Sequence, residues 1–207
     1  MTRWLLLLLV GVVLGAIVHL ATVMLLPRTA TQDAYARLSP IAPVNAVTAL
    51  PAPTPEGALM PYMDPAFVGA VCRYDLSEGP LKLTVPVMTG YTSVSFYTRY
   101  DISYYAINDR AAGRRTIELD LMTAEQRAQI PDEEDVTAAD RLIVESPTST
   151  GLIAIRALAP EPGLLPMARG AIAAARCQLQ DASADPPAET PKAAPKATPK
   201  EPAKPRR

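Results

Sequence analysis

The sequence predicts a mainly β protein: an antiparallel β-sandwich or jelly-roll-like domain with a C-terminal helix, preceded by one N-terminal transmembrane helix. Three observations predict it. Residues 5–26 form an apolar run whose only ionisable side chain is His19. Between residues 81 and 159, segments rich in strand formers alternate with turn residues. Residues 164–179 carry an apolar stripe at helical spacing.

The first element is LLLLLVGVVLGAIVHLATVMLL, 22 residues long. At about 1.5 Å per residue it spans roughly 33 Å, close to the hydrocarbon thickness of a bilayer. Trp4 stands at one end, where an amphipathic ring favours the interface. Pro27 stops the helix at the other. A cleavable signal peptide would have an apolar region of about 7–15 residues and small residues at its cleavage site. Here the run is longer and Pro27-Arg28-Thr29-Ala30 is a poor site, so an uncleaved signal anchor is expected. Arg3 lies on one side, Arg28 and Arg37 on the other, so positive charge does not decide orientation. The short leader favours keeping the N-terminus inside and the domain outside. Gly11 and Gly15 have the small-xxx-small spacing that lets helices approach. His19 is either a functional intramembrane group or a neutral, hydrogen-bonded one.

Residues 27–66 read as a proline-rich stalk. The chain has 22 prolines, clustered mainly in 40–65 and 186–205, where they mark linkers and not core. The β domain is expected over 67–180. Asp64-Pro65 opens AFVGAVCRYDL, which suits either a short helix or a strand lead-in. LKLTVPV (81–87) and TSVSFYTRY (92–100) are strands. SYYAIND (103–109) and RTIELDL (115–121) look like a hairpin around the turn residues from Asp109 to Gly113. Thr123 suits a helix N-cap. RLIVES (141–146) and GLIAIRALA (151–159) are further strands, the last apolar enough to be central. Leu165, Ala168, Ile172, Ala175 and Leu179 define one face of the closing helix. Residues 181–207 are a disordered basic Pro/Ala/Lys tail, unable to bury a core. It is either a solvated spacer or a weak contact for anionic polymer or lipid.

With 20 basic and 21 acidic residues, the charge balance gives no reason to expect nucleic acid. Cys72 and Cys177 suit a disulfide in an exported domain, or two separate buried thiols. A bridge would close a loop of about 100 residues, worth ~4–5 kcal/mol in the chain-entropy model.

Most catalytic chemistry is excluded by composition. The single histidine is His19, in the apolar run, so the domain has no Ser-His-Asp or Cys-His site. Two distant cysteines without a histidine cannot build a conventional zinc site, so no metal is expected. Neither GxGxxG nor GxxxxGK occurs, and no cofactor is expected. The acidic loop 132–135 lacks the spacing of a calcium loop. Carboxylates remain, and glycoside chemistry needs only a suitably spaced pair. Asp64, Arg99, Asp101 and Asp109 are the candidate catalytic residues. Six of the eleven aromatics fall between Tyr91 and Tyr105. Tyr97, Tyr100, Tyr104 and Tyr105 are the candidate ligand platform, against ordinary cross-strand packing as the plainer reading.

DLSEGPLKLTVP (75–86), then YTSVSFYT and YYAINDRAAG, then LIVESPTSTGLIAIRAL together resemble the bacterial family called domain of unknown function 1254, over residues 65–175. The resemblance implies a jelly-roll-like β fold and no established activity. Longer members continue into a second β domain, of the 1214 type. The expectation is therefore a short anchored form whose β domain binds or assembles with a separately encoded, anchored 1214-type envelope protein. Its expected place is the bacterial inner membrane, crossed once, with the domain in the periplasm. The rival expectation is half of a carboxylate-dependent hydrolase or carbohydrate-active enzyme completed by that partner. Longer members also carry an Asn-x-Asp-Thr-like segment before the first strand, for which only Asp64 stands in here.

Overall fold

The computed structural model describes residues 2–29, 33–88, 90–113, 115–130 and 142–180. Helix α1 (Thr2–Thr29) is followed by a short α2 (Ala34–Leu38) and strand β1 (Val47–Ala49). The body continues with β2 (Phe67–Asp75), β3 (Leu81–Pro86), β4 (Thr92–Thr98) and β5 (Ser103–Asn108). After α3 (Asp109–Ala112) come β6 (Thr116–Thr123), α4 (Ala124–Arg127), β7 (Leu142–Ser146) and β8 (Thr150–Leu158). Helix α5 (Leu165–Ala174) and β9 (Arg176–Leu179) close the body.

The strands form two sheets, as expected of a sandwich. One has the order β1-β2-β8-β4-β5, with every pairing antiparallel. The other has the order β7-β6-β3-β9, antiparallel except for β6 with β7. Alternation explains the layering. In β3, Leu81, Leu83 and Val85 are buried while Lys82, Thr84 and Pro86 are half-buried. Their buried face meets Phe96, Ile153 and Ile155 of the five-stranded sheet in one core. Ala168 and Ile172 are the buried face of α5, which packs on β2, β3 and β8. The apolar segment 151–159 is central, as β8. Thr123 caps α4 in a reciprocal capping box with Gln126.

Several expectations are corrected. The 103–109 and 115–121 segments do not form a hairpin. They become β5 and β6 of different sheets, because α3 carries the chain across the sandwich. The real hairpin is β4–β5. AFVGAVCRYDL is a full strand. The closing helix ends at Ala174, and Ala175 turns extended (ψ 143°). Residues 176–179 then pair with β3, so Leu179 lies off the helix face. The expected stalk is not free over 33–50. Leu38 and Ala42 are fully buried, β1 pairs with β2, and Val44 bridges to Arg73. The body therefore begins at Asp33, well before residue 67. The acidic loop 131–135 and the tail 181–207 lie outside the described residues.

Cys72 of β2 and Cys177 of β9 are disulfide-bonded, Cα to Cα 6.5 Å, joining the two sheets. Helix α1 has no part in this body. Thr2–Leu26 is long and apolar enough to cross a membrane and is nowhere buried. Within it the Thr22 hydroxyl donates to the Val18 carbonyl, and nothing stands within 4 Å of a side chain built on Gly11 or Gly15.

Candidate functional site

Burial of the sandwich interior leaves the outer face of the five-stranded sheet to be covered. Val71 of β2 and Leu152 of β8 point outward there. They meet Leu38, Ala42, Leu50, Leu59, Met60 and Tyr97 in a second apolar cluster. The N-terminal segment is thus folded over this face.

A latch fixes the start of that segment. Asp33 caps α2 by accepting the Ala36 N–H at 2.7 Å, and its other oxygen accepts from Arg99 at 2.8 Å. The Asp33 side chain is only 8% exposed. The Arg99 and Arg73 guanidiniums both lie over the Tyr35 ring, 4.2 and 4.7 Å from its centroid. Arg73 also donates to the Ser39 and Ala42 carbonyls and the Tyr35 hydroxyl. Asp33→Ala removes a cap and half of a sheltered ion pair. It is expected to cost about 1–2 kcal/mol and to speed amide exchange across α2, read by hydrogen–deuterium exchange.

The cover is incomplete. A cleft of about 530 Å³ lies over β2, β4 and β8, within the ~300–1,000 Å³ usual for ligand sites. Its floor includes Gly69, Val71, Leu152, Ala154 and Tyr97; Ala34, Leu50, Met60, Tyr62 and Met63 also line it. Four charged residues line it: Arg37, Asp64, Asp101 and Arg156.

Two of the four candidate catalytic residues, Asp64 and Asp101, therefore share this cleft. Each already holds a backbone donor: Asp64 accepts the Ala66 N–H at 2.9 Å and Asp101 the Ala34 N–H at 3.1 Å. Arg99 stands beside Asp101 in the β4–β5 loop and belongs to the latch. Asp109 is elsewhere. It opens α3 and accepts from the Thr92 N–H at the far end of β4.

Asp101 adopts a left-handed backbone (φ 59°), which favours Gly, Asn or Asp. Partial burial raises its carboxyl pKa above the ordinary value; the Ala34 N–H opposes this, the Asp33 charge adds to it, and Arg99 opposes it. The folded state thus binds this proton more tightly than the unfolded chain, so stability falls as pH rises through the raised pKa. Asp101→Asn keeps an acceptor and relieves the left-handed strain. Its stability relative to the native chain is expected to improve from acidic to neutral pH, read by urea melts at both.

The four tyrosines do not make one platform. Tyr97 faces the cleft. The pairing of β4 with β5 slips by one residue at Phe96/Tyr97, and Tyr104 and Tyr105 both pack on Phe96 at the sandwich core, centroids 6.2 and 5.7 Å away. The Tyr104 hydroxyl bonds that of Tyr74, which also bonds Ser146 and the Tyr97 carbonyl. Burial raises the Tyr104 pKa, so it stays a neutral phenol. Tyr100 is exposed in the β4–β5 loop. Arg37, Arg156 and Tyr62 had no sequence signal. Asp33 before AYARL had one, an acidic N-cap, hidden inside a proline-rich stretch.

Fold and cleft define a two-sheet β domain with an apolar surface cleft, carried behind one long apolar helix. Residues 44–179 match the family described as protein of unknown function (DUF1254), and the chain belongs to it. Among solved structures, the VPA0106 protein from Vibrio parahaemolyticus is similar, with 13% identity and a TM-score of 0.52. That match covers 72% of this chain and 37% of the other, so this chain spans little more than a third of that protein. An uncharacterised Burkholderia cenocepacia protein aligns at 14% identity over 70% of this chain and 36% of its own, with a TM-score of 0.44. No curated protein matches the chain.

Proposed function

We propose that the chain is a single-pass protein of the bacterial inner membrane whose periplasmic β domain is a binding and assembly module. The observation that carries this reading is the cleft: a preformed, mostly apolar hollow with a few charged residues, the general form of a binding site. The long apolar α1 supports the anchor, and the Cys72–Cys177 bond supports an oxidising compartment. The assembly partner in this reading is a separately encoded, anchored 1214-type protein. The VPA0106 match supports it, because the similar fold there is part of a much longer chain. Affinity capture of the full chain from cross-linked membranes is expected to recover that partner. Capture of the chain alone would overturn the assembly part.

One observation favours a second reading. Asp64 and Asp101 line the same cleft, as half of a carboxylate-dependent hydrolase would require. Under it, Asp64→Asn or Asp101→Asn abolishes turnover of a glycan or ester by the chain with its partner. Absence of turnover by the native pair sinks it.

A further inference from the structure

We infer that the cleft accepts an acyl chain of a phospholipid from the bilayer that holds α1. This rests on the membrane-anchored reading and names the ligand of the same cleft. The tether to α1 is short. The apolar span ends at Leu26, and the packed body begins at Asp33, whose carboxylate is fixed by Arg99 and by the α2 backbone. Seven residue steps separate the two positions, at most roughly 25 Å fully extended. The headgroup layer takes up about 5–7 Å of that. The domain therefore rides next to the lipid and cannot stand off on a long stalk.

The cleft lies close to that tether. It starts at the tethered end itself, since Ala34 and Arg37 of α2 line it. The hollow therefore begins five residues beyond the end of α1. Tyr62 lines it with its side chain fully exposed, and Tyr100 and Ile102, 40% and 57% exposed, flank Asp101 at its edge. Such residues suit the lipid interface.

The lining suits an acyl chain. Leu50, Met60, Met63, Phe67, Val71 and Leu152 give the cleft a mostly apolar surface. Methionines adapt to flexible chains. Arg37 and Arg156 balance Asp64 and Asp101 in the lining, so the apolar surface, and not a surplus of charge, sets the ligand class.

The full chain, reconstituted in phosphatidylethanolamine/phosphatidylglycerol vesicles with a phospholipid bearing a photoreactive acyl chain, tests this. Mass spectrometry is expected to find adducts in α1 and also in residues 60–69 and 152–156. Ala154→Phe and Gly69→Val each place a side chain in the cleft; a Cβ on Gly69 would meet nothing closer than Leu50 at 3.6 Å. Each is expected to cut cleft labelling about tenfold or more, as each lost methylene contact weakens binding several-fold, with α1 labelling unchanged. Adducts in α1 alone, or cleft adducts undiminished in both variants, overturn the inference. So does cleft labelling by a free photoreactive fatty acid but not by the phospholipid. The native pattern decides by itself where a variant misfolds. Absence of α1 adducts would instead show that the membrane reading had failed.

Discussion

Gly151→Ala is expected to lower stability by about 3 kcal/mol or more, enough to abolish cooperative folding in a marginal domain. Gly151 is the second residue of the central strand β8, paired with Tyr74 of β2 on one side and Thr98 of β4 on the other. A methyl group there would collide with the Tyr74 hydroxyl, the carbon bearing it, and the Tyr97 carbonyl. None of these can give way. Tyr74 is fully buried and its hydroxyl joins Tyr97, Tyr104 and Ser146. The Tyr97 carbonyl is main chain. Moving Tyr74 would strand buried hydroxyls, each costing about 1–3 kcal/mol. Tyr74→Phe is not expected to rescue, because the ring carbon and the carbonyl still clash. Near-ultraviolet circular dichroism through a urea titration reads the effect. A midpoint equal to that of the native chain would contradict the packing described.

Loss of the disulfide is the second large effect. Cys72 and Cys177 are 105 residues apart and tie the five-stranded sheet to β9, the edge of the other. Reduction, or Cys72→Ala with Cys177→Ala, frees that loop in the unfolded chain, worth about 4–5 kcal/mol in the entropy model. For a body of this size the expected fall in Tm is about 15 °C. A melt insensitive to reductant would mean that the bond contributes nothing. Because β9 is a four-residue edge strand, its release is expected before the rest of the sheet opens.

The sandwich was legible in the sequence where alternation was clean. LKLTVP is a strand with every second residue buried against one core, TSVSFYT is covered on both faces, and the long apolar segment after Gly151 is central, between β2 and β4. Legibility failed where two patterns overlapped. Arg176–Leu179 continues the three-and-four spacing of the preceding helix, yet pairing with β3 and the bond at Cys177 hold it extended. Residues 33–50 read as stalk because prolines conceal the short α2 and β1, whose stability comes from packing on β2. The same overlap governed the site. Asp101 stands out in the sequence as a carboxylate beside a strand and Asp64 only through the family resemblance, and the fold brings both to one cleft. The tyrosine platform failed for a specific reason. Tyr105 faces inward opposite Phe96 by plain alternation, whereas Tyr104 is the extra residue at the Phe96/Tyr97 slip and packs on Phe96 as well, where unbroken pairing would have set it beside Tyr97.

The central proposal is a disulfide-stapled β domain held at a membrane by an uncleaved α1. The measurement that tests it most directly is the intact mass of the chain from carbonate-washed membranes, alkylated without reductant. The predicted result is a chain that retains residues 5–26 and carries no alkyl group on Cys72 or Cys177. A shorter chain lacking that span, or one alkylated at both cysteines, would contradict it.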